Sequence, residues 1–228
     1  MELAIDSRRL TTCLVWIVAL LTLAHLAGKL CSYLDYRSGL ITIFDMDREM
    51  SVPTLFSTVA LLACALLFGI VATATRRRGL PFVLHWHGLA VIFVFLDIDE
   101  SVSLHERLTP HVHRLVDTTV QYAWVLPYGI ALIALAVVYA RFWLVLPPGP
   151  RYLFAAAAGI YVTGGLLLEI PAGFEAVAHG ETTLRFTILA TLEELLEMVG
   201  IVVLIRALTS YLTTELPGLR IGLSSSKT

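Results

Sequence analysis

Six apolar runs, each about long enough to cross the hydrocarbon core of a bilayer as a helix, constrain this chain more than any other feature. They fall at residues 12–33, 52–75, 80–100, 121–146, 152–172 and 186–212. A lone span must satisfy its own backbone N–H and C=O groups, and the two-residue alternation of a barrel strand is missing, so each run reads as a helix. The expected fold is all-α, a six-transmembrane-helix bundle occupying residues 1–228 as a single domain. The chain is 57% hydrophobic and 15% charged, whereas a soluble domain carries roughly 25% charged residues. No segment between the runs is long enough to form a separate water-soluble domain, and no nucleic-acid partner is expected.

The charges divide by side. With six spans, ten basic residues fall on one side, among them Arg8, Arg9, Arg141, Arg151 and the run Arg76-Arg77-Arg78; six fall on the other. This bias places both termini in the cytoplasm. Fifteen of the 18 acids lie on the opposite, outer side, a separation that the formal net charge of −2 conceals. Arg8 and Arg9 precede the first apolar run, but no small-residue cleavage site follows it cleanly, so an uncleaved first span is expected. The 3 cysteines, Cys13, Cys31 and Cys64, lie in apolar runs with no CxxC or metal-ligand spacing. They read as small buried hydrophobes.

Several acids sit within the spans. Asp97, Asp99 and Glu100 end the third run, Glu169 ends the fifth, Glu193, Glu194 and Glu197 begin the sixth, and Glu49 precedes the second. Carboxylates in hydrocarbon are costly, so a group of them at one depth reads as a functional site. If the third helix continues past the membrane, about 100° per residue puts Asp97, Glu100, Ser101 and His105 on one arc, with Asp99 and Glu106 facing away. Glu193 and Glu197 stack at i, i+4 on the sixth helix. Carboxylates from four helices with a histidine a turn or two away follow the general plan of a carboxylate metal site in a bundle.

The expected metal ligands are Glu49, Asp97, Glu100, His105, Glu169, Glu193 and Glu197, with His105, Glu100 and Ser101 as the catalytic set. Clustered carboxylates need protons, arginines or cations as compensation. The outer arginines are too few, so a divalent metal ion is the expected cofactor. Oxygen ligands suit Mg, Ca or Mn, and His105 brings in Fe or Zn. Neither Glu-x-x-His nor HExxH is present.

Simpler readings compete residue by residue. Asp99, Glu106, Glu175 and Glu181 read as solvated surface charges. Asp45, Asp47 and Glu49 suit the start of the second helix. His25 reads as a satisfied packing residue. Pro53 after Ser51 marks a capped helix start, Pro127 a helix start or kink, and Pro171 with Gly173 a helix end. The stretch 101–120 reads as a loop interrupted by Pro110, and Ala155 with Gly159 as a small face for close helix approach.

Three segments carry a resemblance: Glu49 with Ser51-Val-Pro-Thr-x-Phe-Ser57, Asp99-Glu-x-x-Ser-x-His-Glu106, and Glu193-Glu-x-x-Glu-Met198. In these the chain resembles an uncharacterised group of six-span bacterial integral membrane proteins, over about residues 40–210. The resemblance implies a multi-pass protein of the bacterial inner membrane and brings no established activity. A looser similarity is to intramembrane zinc hydrolases of the alkaline ceramidase and adiponectin receptor type. This chain lacks their His-x-x-x-His pair and is one span short, so none of their residues is carried over.

Three functions follow from these readings. The first is a metal-dependent membrane enzyme, a hydrolase or oxidoreductase, acting on a lipid or lipid-linked substrate. The second is a cation or proton-coupled transporter. The third is an accessory subunit of a larger membrane complex. Membrane lipid is the expected partner, with other membrane subunits or a homo-oligomer as further possibilities. A site closed toward the inner side and open outward would separate the enzyme from the conduction path, which should be polar throughout.

Overall fold

A computed structural model describes residues 6–34, 39–48, 50–116, 118 and 120–217, with the side chains of residues 39 and 40 excepted. The described residues are helical, with no strand among them. In chain order they form α1 (Ser7–Tyr33), α2 (Gly39–Ile43), α3 (Val52–Arg77), α4 (Val83–Val102), α5 (Leu104–Leu115), α6 (Val125–Val145) and α7 (Pro148–Val162). A π-helical segment (Thr163–Leu168), α8 (Glu169–His179) and α9 (Leu184–Thr214) complete the order.

The long helices start where side chains satisfy their first free N–H groups. Asp6 accepts from the N–H groups of Arg8 and Arg9 at 3.0 and 3.3 Å. Ser51 Oγ accepts from Thr54 N–H at 3.2 Å, with Pro53 in the first turn. Thr183 Oγ1 accepts from Phe186 N–H at 3.1 Å. Pro127 lies in the first turn of α6, as a helix start requires.

Among the described residues, four helical stretches are long and apolar enough to cross a membrane: α1, α3, α6, and the continuous run from Pro148 to His179. The other two expected runs correspond to α4 and α9. α4 carries Asp97, Asp99 and Glu100 within its 20 residues, and α9 carries Glu193, Glu194 and Glu197 within its 31. α9 is the central element, packed against α1, α3, α7, the π segment and α8. Its face Ile201, Leu204, Ile205 and Leu208 meets Leu61, Cys64 and Phe68 of α3 and Trp86 of α4 in the main core. A smaller cluster joins Val18 and Leu21 of α1 to Met46, Met198 and Val202.

Four local expectations change. Residues 104–115 are helix rather than loop, and Pro110 sits inside it. Pro171 and Gly173 do not end the fifth run; the π segment feeds directly into α8, so Pro171 lies within a continuous helical run, next to the π segment. Gly159 is exposed with open space beside it, so the small face does not make the close helix approach. That approach occurs at Gly164 and Gly200. A Cβ on Gly164 would stand 2.7 Å from the Glu193 carbonyl oxygen, and one on Gly200 2.8 Å from Tyr161 N. Of the cysteines only Cys64 is buried; Cys13 is exposed and Cys31 half-buried.

Candidate functional site

α4 ends at Ser103, which takes a left-handed φ of 49°, and α5 leaves in a new direction. The single arc expected from an unbroken helix therefore does not form. Ser103 makes no side-chain cap to α5. Asp99, on the last turn of α4, supplies one instead, as its Oδ1 accepts from His105 N–H at 2.8 Å. Its Oδ2 lies 3.3 Å from His105 Nδ1. Asp99 is 5% exposed, so the expectation of a solvated surface charge is corrected. A carboxylate on Nδ1 fixes the tautomer and leaves Nε2 free for a ligand or a proton. Burial lowers the His105 pKa, but the hydrogen bond and charge of Asp99 outweigh it and hold the imidazole above its ordinary 6.5.

His105 lies against Trp124, with ring centroids 4.7 Å apart, and Trp124 against Tyr128 at 5.0 Å. Trp124 Nε1–H donates to Glu169 Oε1 at 3.2 Å. Trp124 thus joins the histidine of α5 to the carboxylate that opens α8. Glu169 directly follows the π segment, whose wider turns shift the residues after it around the axis, a geometry that recurs at functional sites.

His105 and Glu169 line a cavity of about 160 Å³. Six carboxylates border it: Asp47 before α3, Glu100 on α4, Glu106 on α5, Glu169 on α8, and Glu193 and Glu194 on α9. Arg48 and His105 are the basic groups in the lining; Thr54, Ser103 and Tyr122 add hydroxyls, and Phe186 and Ala190 an apolar wall. Arg48 and Glu106 are exposed, so the cavity meets the surface at this end. Burial raises the Asp47 carboxyl above its ordinary 3.8; Lys29 opposes that rise, and Asp45 and Glu181 add to it.

Four of the seven expected metal ligands, Glu100, His105, Glu169 and Glu193, line this one cavity. Glu197 lies one turn deeper on α9 and packs against Gly165 of the π segment, where a Cβ would collide with its carboxylate. Asp97 does not line the cavity, and its Oδ1 is buried without a hydrogen-bond partner. Glu49 lies outside the described residues. Of the expected catalytic set, Ser101 is exposed and donates its hydroxyl to the Asp97 carbonyl at 2.7 Å, so it does not join His105 and Glu100. Among the described residues, no three His, Cys, Asp or Glu side chains stand close enough to hold an ion without rearrangement.

Asp47, Arg48, Glu194, Tyr122 and Trp124 were not in the expected site. Only Glu194 carried a legible signal, its place in the Glu193-Glu-x-x-Glu197 run. Two other acids also change roles. Asp45 pairs with Lys29 at 2.9 Å, and Glu175, 6% exposed, accepts from Thr183 at 3.0 Å and lies 3.4 Å from Arg185. His25 is the satisfied core residue expected. Its Nδ1 accepts from Met46 N–H at 3.0 Å and its Nε2 bonds Thr191 at 3.0 Å. With Nδ1 so occupied, the 3.3 Å approach of Asp45 to that nitrogen is a contact rather than a second hydrogen bond, and Lys29 is the firmer partner of Asp45.

Residues 12–212 match a family described as Domain of unknown function (DUF8692). The chain belongs to this family. No curated protein and no solved structure matches it. The family match covers every element of the cavity, from Asp47 to Glu194, and assigns it no activity.

Proposed function

We propose that this family member is a six-span inner-membrane protein, both termini cytoplasmic, whose outward-opening cavity binds a divalent cation for metal-dependent chemistry on a lipid or lipid-linked substrate. The observation that carries this reading is the imbalance in the lining, six carboxylates against Arg48 and His105. Carboxylates so confined repel one another until a cation or protons intervene. Glu100, Glu169 and Glu193 supply oxygen ligands, and His105, steered by Asp99, supplies a nitrogen ligand or a general base. The ion draws these groups together, since they do not converge without it.

The other end of the cavity supports an enzyme over a conduction path. Below Glu197 the bundle interior is mostly apolar, Leu61, Cys64, Phe68, Ile201 and Leu204 among it, with Trp86 and Tyr211 as polar-tipped rings and Thr75 and Thr209 as buried hydroxyls. The Phe68 ring lies tilted 6.1 Å from Trp86 and stacks 6.4 Å from Phe154. Among the described residues no buried carboxylate or imidazole continues the path on that side, whereas a conduction path is polar throughout.

Elemental analysis of the purified protein, after reconstitution with Zn, Mn, Fe, Mg or Ca, tests the proposal. The parent is expected to retain near-stoichiometric metal, and a Glu169→Gln, Glu193→Gln double variant to retain none while remaining folded. Absence of metal from the parent under every condition would sink the cation reading. A proton-coupled carrier, or an accessory subunit whose acids meet a partner's arginines, would then lead.

A further inference from the structure

A second cavity, of about 180 Å³, lies along the middle of α9, on the C-terminal side of its carboxylates. α1 and α7 both pack on α9, and the cleft lies between them. Its walls are Val15 and Val18 of α1 and Leu153 of α7, and its floor is Val199, Val202 and Val203 of α9. Two polar residues close one end, Thr11 and Arg206. Below them Ser7 Oγ and Thr209 Oγ1, 2.7 Å apart, pin α1 to α9.

Arg206 is the anomaly. Its guanidinium makes no hydrogen bond, ion pair or ring contact among the described residues. An arginine near the inner end of a membrane helix reaches the headgroup layer, and one without a partner beside an apolar cleft is placed to take an anionic group. Arg8 lies three residues before Thr11 on the cleft-facing side of α1, and its guanidinium is likewise unpaired among the described residues. Thr11 is four residues into α1, about 6 Å from its start. On the proposed topology this end of α1 meets the headgroup layer, and the acyl region begins near Val15.

We infer that this cleft is a site for a phospholipid with an anionic headgroup, one acyl chain lying along Val15, Val18 and Val202 and the phosphate meeting Arg206 with Arg8 beside it. The shape selects a chain, since the cleft is apolar along its length and polar only at one end. The charge selects the headgroup. A guanidinium binds a phosphate through paired N–H donors, and two uncompensated arginines favour a headgroup with net negative charge over a zwitterionic one. The site is independent of the carboxylate cavity and stands whether or not that cavity holds a metal.

Native mass spectrometry of the full chain in detergent tests this, with phosphatidylglycerol and phosphatidylcholine of identical chains as probes. The parent is expected to hold phosphatidylglycerol about tenfold more tightly, the scale of one charged hydrogen bond. Arg206→Gln is expected to erase that preference and Arg206→Lys to keep part of it. Val15→Trp, which fills the cleft from its exposed rim, is expected to weaken both lipids together. Thermal melts confirm that each variant is folded. Equal affinity of the parent for the two lipids, or an undiminished preference in Arg206→Gln, overturns the inference. So does a lipid-free dimer in which a second copy seals the cleft.

Discussion

Asp99 decides the chemistry available at His105. The carboxylate caps α5 and holds Nδ1 at once, so its loss frees both the backbone amide and the ring. Asp99→Asn is expected to weaken cation binding about ten- to a hundredfold, the usual effect of removing the partner of a metal-bound histidine. Calorimetric titration of the variant with the ion found in the parent measures it; unchanged affinity would remove His105 from the ligand set. Asp45 gives a pH signature of a different kind. Burial raises its pKa, but the Lys29 ammonium 2.9 Å away outweighs that and holds it below its ordinary 3.8. A depressed carboxyl pKa stabilises the fold above the unfolded value, and the contribution disappears as pH falls from about 4 through 2. At this half-buried site it amounts to about 1 kcal/mol after solvent screening. Asp45→Asn should therefore lower the melting temperature at pH 6 and converge with the parent near pH 2.

At the scale of the element, the π segment and α9 form one device. Gly164 and Gly165 let the α9 backbone and the Glu197 side chain come close, and the π turns set the position of Glu169 just beyond them. Gly164→Ala would force a methyl against the Glu193 carbonyl oxygen and Glu197 N. Both are backbone atoms in the central helix and cannot yield as a side chain would. A destabilisation of about 1–3 kcal/mol is expected, read as a lowered melting temperature in detergent, together with lost cation binding because Glu169 and Glu193 move apart. Gly159→Ala, where nothing lies within 4 Å, is the control and should leave both unchanged.

For the whole molecule, the proposed topology puts the carboxylate cavity outside and the Arg76-Arg77-Arg78 turn inside. In a background with Cys13, Cys31 and Cys64 replaced by serine, a membrane-impermeant maleimide applied to intact cells should label Glu181→Cys and spare Arg77→Cys. The opposite pattern would invert the protein. Equal labelling would show that α4 does not span, since α6 and the run from Pro148 to His179 are the other crossings between the two positions.

The helical class and most of the positions at the acidic end follow from the sequence. Hydrocarbon demands internally bonded backbone over any stretch of spanning length, and that requirement is visible in composition alone. The cost of acids at such depths also picks out Glu100, Glu169 and Glu193 without reference to any neighbour. Only tertiary structure shows what those acids meet. The break at Ser103 turns His105 back onto Asp99, because a single left-handed residue undoes helical phase for everything after it. Asp47, Arg48 and Tyr122 enter the cavity, and Trp124 reaches His105 and Glu169, from connections between helices, where no periodicity links a residue's place in the chain to the direction it faces. Arg206 reads in sequence as one more vote for the basic side. Its isolation at the end of an apolar cleft exists only because α1 and α7 flank α9 there.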